Sequence, residues 1–362
     1  MPRTSTPPAE KRREFRSGGG LTIDDLPALK ADSLGVLVEG KGGLGRAMWR
    51  GTPRDLVTRL LPELPARPRS RVMRQLQRRL LLSVATVPPG LAVGEGLLTL
   101  RLDRLLAMGD IAGAQALFHV VASRRKAASL TASEIELAWL TGDTRRACNA
   151  VAQRVRERED DALLKALIFC QSLAGEHDKA ALSLSLLRET KDGADKRFLA
   201  LARLSGPNKR AARRTKIKSL KAPTSLELAM MAAAGRKLPA DVLSTDRPSL
   251  LRILARAKNA PAEVGLGAAE RAFALAVVPR RVLIRHYDAI KFKPKEVSRA
   301  LALAKKTFKA RDRARLLRAL ARITEAEKRG LFMQEILELA RSKGRYVFMA
   351  RLLAPALLKI EP

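Results

Sequence analysis

From about residue 54 onward, apolar side chains recur at three- and four-residue steps, with arginine and lysine filling the positions between them. That spacing places the apolar residues on one face of a helix. A first helix is predicted over residues 54–61, entered at Pro53 with Thr52 as its cap. A second is predicted over 70–84, with Val72, Leu76, Leu80 and Leu81 inward and Arg71, Arg74, Arg78 and Arg79 outward, ended by Pro88-Pro89-Gly90. In the second half, the pattern predicts helices over 198–204, 225–234, 248–258, 268–278, 280–290, 294–308, 312–323, 325–342 and 345–358, with a single turn over 239–243. Gly235, Pro279 and similar residues punctuate them.

Between residues 102 and 187 a longer period is superposed. Gly109-Asp110 precedes Ala114, Gly142-Asp143 precedes Ala147, and Gly175-Glu176 precedes Ala180, in two steps of 33 residues. Seven residues before each glycine stand Leu102, Ile135 and Ile168. Two before it stand Ala107, Leu140 and Leu173, and nine after it Phe118, Val151 and Leu184. A period in this range is the mark of stacked helical units. Each glycine suits the left-handed residue that ends one helix, and each acid suits the first turn of the next. The alanine five residues after each glycine lets the two helices approach closely.

With its turn glycine and alanine five apart, this stretch resembles a degenerate tetratricopeptide-type repeat, although the large aromatic and second glycine of that family's first helix are missing. The resemblance implies a curved array of helical hairpins, whose usual work is binding. The expected fold is therefore all-α: a right-handed, tetratricopeptide-like α-solenoid of stacked hairpins, in two lobes. Its expected divisions are a flexible basic tail over 1–20, a helical cap region over 21–95, the repeats over 96–205, a basic hinge over 206–224 and a basic helical array over 225–362.

Charge changes the picture. The 362 residues carry a formal net charge of +34. Residues 100–199 are nearly neutral, with 16 basic and 14 acidic side chains, whereas residues 200–362 hold 37 basic and 13 acidic. An excess this large implies an acidic protein, nucleic acid or an anionic surface as partner. The sharpest concentration lies at Lys209, Arg210, Arg213, Arg214, Lys216, Lys218 and Lys221, inside a window from 196 to 226 that has no acid. These seven are the candidate anion-binding residues. Aromatic side chains for base stacking are scarce in the basic segments; Phe292 and Phe308 are the exceptions.

Other candidate chemistry is thin. His119, His177 and His286 have no metal-ligand spacing. Ser123 and Lys126 match a Ser-x-x-Lys spacing without its companion elements. Glu157, Glu159, Asp160 and Asp161 lie among arginines and read as solvated charge. Gly40-Lys41-Gly42-Gly43-Leu44-Gly45 lacks the Ser or Thr that a phosphate loop places after its lysine. No catalytic residue, metal or cofactor is indicated. Cys148 and Cys170 fall on predicted helices and read as buried, reduced thiols. The polar start and the lack of a long apolar run suggest a cytoplasmic protein without a transmembrane segment, or an exported one if the true start lies upstream.

Across most of its length, from Gly45-Arg-Ala-Met-Trp-Arg-Gly-Thr52 through Pro88-Pro89 to the Met108-Gly-Asp turn, the chain also resembles a group of uncharacterised alphaproteobacterial helical proteins. Some of these are labelled antifreeze glycopeptide polyprotein. The tandem Ala-Ala-Thr units that label requires are absent here. The resemblance implies a helical-repeat protein, and exported members of the group keep export open. The expected function is a non-catalytic scaffold or adaptor that binds a protein or peptide, with non-specific nucleic-acid or anionic-surface binding through the basic half as the alternative.

Overall fold

A computed structural model describes residues 31–68, 70–91, 96–122, 131–156, 160–190 and 195–358. The basic tail over 1–20, Ser123 to Lys126, Glu157, Glu159 and residues 191–194 lie outside the described residues. Their regular structure is helical, and one isolated parallel bridge, Leu37 to Ser83, is the only β pairing among them.

The first part holds α1 (Arg54–Glu63) and α2 (Arg71–Leu82). Ser70 caps α2 by accepting from the Met73 N–H. Pro53, not Thr52, takes the N-terminal position of α1, and the Thr52 N–H instead donates to Trp49 in the preceding turn. The face of α2 differs from its pattern. Val72 and Leu76 are 73% and 45% exposed, while Gln77, Leu81 and Leu82 are buried. One cause is Arg101, a buried guanidinium that draws the C-terminal end of α2 inward. It donates to the carbonyls of Leu81 (2.7 Å), Ser83 (3.0 Å) and Leu34 (2.7 Å). Burial pushes its pKa down to about 10.

Three consecutive hairpins follow: α3 (Leu97–Ala107) with α4 (Ile111–Ala122), α5 (Thr131–Thr141) with α6 (Thr144–Arg154), and α7 (Asp161–Leu173) with α8 (His177–Glu189). Their turns are alike. Gly109, Gly142 and Gly175 have φ of +70°, +78° and +78°. The next residue's N–H reaches back to Leu105, Ala138 or Gln171, each at 2.9 Å, and the glycine N–H to Leu106, Trp139 or Ser172. This paired bonding satisfies helix-end carbonyls, and glycine adopts the required φ without a Cβ penalty. Ala114, Ala147 and Ala180 are buried where the paired helices meet, and Leu102, Ile135 and Ile168 are buried with them. Leu173 departs from its column and is exposed.

The two cysteines are not reduced thiols. Cys148 on α6 and Cys170 on α7 form a disulfide, with their Cα atoms 5.4 Å apart. Packing of the second hairpin on the third brings them together, which their separation of 22 residues did not disclose.

The second half continues with α9 (Lys196–Leu204), α10 (Lys209–Arg214), α11 (Ser225–Ala233), a 3-10 turn (Ala240–Ser244), α12 (Pro248–Leu254), α13 (Ala262–Ala274) and α14 (Arg280–Asp288). It closes with α15 (Pro294–Ser298), α16 (Ala300–Thr307), α17 (Ala310–Leu320), α18 (Ala326–Ser342) and α19 (Tyr346–Leu357). The stretch predicted as one helix over 294–308 breaks at Arg299, and α13 begins six residues before its predicted start. Residues 206–224, expected as a hinge, hold α10 and an extended strap fixed on both flanks. Asp241 accepts from the Leu220 N–H (2.9 Å) and from Ser219 Oγ, Arg236 donates to the Thr215 carbonyl (2.6 Å), and Arg197 donates to that of Lys221 (2.9 Å).

The halves are not separate. α11 packs on α5, and α12 packs on α3 and α5, so the second half covers part of the first helices of the repeats. A single buried apolar cluster runs from Leu34 to Leu353. Glu270, Tyr287 and Arg313 join α13, α14 and α17 inside it; Arg313 Nη2 lies 2.6 Å from the Glu270 carboxylate, and the Tyr287 hydroxyl donates to the same group. No helix among the described residues is long and apolar enough to cross a membrane.

Candidate anion-binding sites

The second half brings α12, α14 and α19 up to α2 and the first repeat turn, and a hollow of about 560 Å³ forms where they meet. Six arginines line it: Arg71, Arg74 and Arg78 from α2, Arg252 from α12, Arg280 from α14 and Arg351 from α19. Among the described residues, Asp110 is the one acid in its lining. Met108, Phe273, Val277 and Val278 supply an apolar floor.

The chain holds these guanidinium groups mostly by backbone oxygen. Arg74 Nη2 donates to the Met108 carbonyl at the end of α3 (2.7 Å). Arg252 Nη1 donates to Val277 just beyond α13 (3.2 Å), and Arg351 Nη1 to Ala274 at the end of α13 (3.0 Å). Arg280 Nε donates to Leu352 in α19 (2.8 Å). Helix ends present unpaired carbonyls and a partial negative charge, so a guanidinium is well placed there. Arg78 Nε instead pairs with Asp110 (2.8 Å), and Arg351 also lies over the Phe273 ring, 4.8 Å from its centre. An arginine carries five N–H donors, so each group fixed by one bond keeps others for a ligand.

Electrostatics follow from the crowding. Burial lowers the pKa of Arg74, and Arg351 and Arg78 lower it further against an opposing pull from Asp110. Burial lowers Arg351, and Arg71 adds to the effect. Burial likewise lowers Arg252 and Arg280, with Arg256 pressing on Arg252. Beyond Arg252 the basic tract continues. Arg252 and Arg256 line a second hollow of about 510 Å³ with Trp139, Gly142 and Leu228, and Arg256 is itself lowered by burial and by Arg281 and Arg285.

The seven residues singled out by sequence lie elsewhere, on α10 and the strap. Lys209, Arg210, Arg213, Arg214, Lys216, Lys218 and Lys221 are all exposed, and none is in an ion pair among the described residues. The structure leaves these seven exposed and, apart from them, forms the arginine hollow, whose members stand up to 280 positions apart in sequence. Arg71, Arg74 and Arg78 were readable as one face of α2. Arg252, Arg280 and Arg351 carried no signal, since arginines between apolar positions recur on many of the helices in the second half.

The other candidates resolve differently. Residues 40–45 form turns whose carbonyls at Gly42 and Gly43 accept from Arg79. His286 contacts the Ala255 carbonyl (2.8 Å). Asp160 caps α7, accepting from the Leu163 N–H (2.8 Å). Among the described residues no three metal-ligating side chains come together. No protein-family model, curated protein or solved structure matches this chain.

Proposed function

We propose that this chain is a non-catalytic scaffold or adaptor, a solenoid-type helical array that binds an acidic protein or peptide. One observation carries the reading: seven cations stand exposed and, among the described residues, without ion pairs on a segment whose backbone is pinned at Thr215, Leu220 and Lys221. Fixing the backbone removes part of the ordering cost that a flexible basic tail would meet on binding. The tetratricopeptide likeness of the three hairpins supports the same reading.

Nucleic-acid binding through this surface is the second reading, because exposed lysines and arginines neutralise phosphates equally well. No aromatic residue occurs between positions 206 and 224 to stack on bases, which favours the acidic protein over single-stranded nucleic acid. The Cys148–Cys170 bond supports the exported alternative, since such bonds persist in oxidising compartments.

The test is capture of partners by the purified chain after nuclease treatment, across a salt series. A discrete acidic protein should be retained and should be lost when Arg213, Arg214, Lys216 and Lys218 are all changed to Glu. Retention of nuclease-sensitive material alone, with affinity falling steeply in salt, would establish the second reading instead. A partner that binds equally well after the four changes would remove the strap from both.

A further inference from the structure

We propose that the arginine-lined hollow is a separate site for a compact ligand carrying two or more phosphate groups. It goes beyond the scaffold reading and rests on different residues.

Three features of the hollow point to this class. Its volume of about 560 Å³, in an open hollow, is enough to seat a small molecule. Its charge is concentrated, with six guanidinium groups and one carboxylate in the lining. A carboxylate brings one negative charge, whereas a phosphate monoester brings about 1.5 to 2 at neutral pH, so phosphates neutralise the hollow within the space available. Its donors are also pre-set. Arg74, Arg252, Arg280 and Arg351 are each tied to a backbone carbonyl and Arg78 to Asp110, which orients planar forks suited to paired oxyanion contacts.

The mutual repulsion of these cations adds to the case. Arg351 faces Arg71, and Arg74 faces both Arg351 and Arg78. Among the described residues, Asp110 supplies the only carboxylate in the lining to oppose them. A bound polyanion would offset the repulsion and bridge α2, near one end of the described chain, to α19 at the other. Ligand binding should therefore raise the melting temperature.

The experiment is calorimetric titration and thermal melting of the full chain with sodium tripolyphosphate in 150 mM salt, beside orthophosphate and citrate. Saturable one-site binding of tripolyphosphate is expected, with a rise in melting temperature and much weaker binding of the other two. Arg252→Ala should weaken it by roughly tenfold to a hundredfold, the usual worth of a charge-assisted hydrogen bond. Arg71→Ala, at an exposed rim position, tests the same site without disturbing a carbonyl partner. Arg351→Lys should also weaken binding, because lysine keeps the charge and loses the fork.

Changing Arg213, Arg214, Lys216 and Lys218 to Glu should leave tripolyphosphate affinity unchanged, so failure of the scaffold reading and failure of this one are separable. The proposal is overturned by the absence of saturable binding, by citrate binding as tightly as tripolyphosphate, or by affinity unchanged from wild type in both Arg71→Ala and Arg252→Ala. Loss of binding in the strap variant would equally overturn it, by assigning the affinity to general surface charge.

Discussion

Ala276 occupies the left-handed position after a helix that is usually given to glycine. Its φ is +57°, its N–H donates to Phe273 (2.9 Å), and the Val277 N–H donates to Ala272 (3.0 Å). This is the bonding found after Gly109, Gly142 and Gly175, built here on a residue with a Cβ. A non-glycine residue in this region costs about 1 kcal/mol or more. The conformation matters to the hollow, because it aims the Val277 carbonyl at Arg252 and places Ala276 in the lining. Ala276→Gly is therefore expected to raise stability by about 1 kcal/mol, seen as a higher urea midpoint with an unchanged slope. A lower midpoint would mean that the alanine methyl group contributes more through packing than it costs in backbone strain. The same residue accounts for a difference between pattern and structure. With no glycine or proline until Pro279, the apolar run over 268–278 reads as helix to its end, whereas α13 stops at Ala274.

At the scale of elements, punctuation was what the sequence disclosed best. At Ser70, Gly109, Gly142, Gly175 and Gly235 the helix boundary lies within about a residue of its predicted place, whereas α9, capped by Asp195, begins two residues early and α10, capped by Asn208, was expected as hinge. Facing was less legible. The apolar spacing of α2 put Val72 and Leu76 inside, but the pull of Arg101 on the Leu81 and Ser83 carbonyls and the anchoring of Arg74 on Met108 turn that face outward. Periodicity measures which residues share a side; partners elsewhere in the chain decide which side is buried. The disulfide was hidden for a like reason, since it depends on how α6 meets α7. It closes a 22-residue separation between the second and third hairpins. Chain-entropy arguments for a loop of this size give roughly 3 kcal/mol of stabilisation. Cys148→Ser should lose about that amount in chemical denaturation, and dithiothreitol should lower the stability of the wild-type chain while leaving the variant unchanged. An identical response of both proteins to the reductant would sink the assignment of this bond.

At the scale of the whole molecule, the repeat is part of a larger packed unit. Its first turn is the clearest link. A Cβ on Gly109 would come within 3.0 Å of the Pro248 and Ser249 backbone, whereas one on Gly142 would meet nothing within 4 Å. The two glycines share the same turn and nearly the same φ, so their backbone preference alone predicts equal penalties on substitution by alanine, about 1–2 kcal/mol each. The contact with α12 breaks that equality. Gly109→Ala must also push the start of α12 away from the turn, and overpacking of this kind adds about 1–3 kcal/mol. The displaced segment carries Arg252 and abuts α3 and α5, so the effect should spread beyond the first hairpin. Hydrogen exchange is the discriminating measurement. Gly142→Ala should raise exchange mainly in α5 and α6, while Gly109→Ala should raise it in α3, α4 and α12 together. Confinement of the Gly109→Ala effect to the first hairpin would mean that the repeats and the second half behave as independent lobes. Spread into α12 would instead mean that the arginine hollow is held by the same cooperative core as the repeat turn beside it.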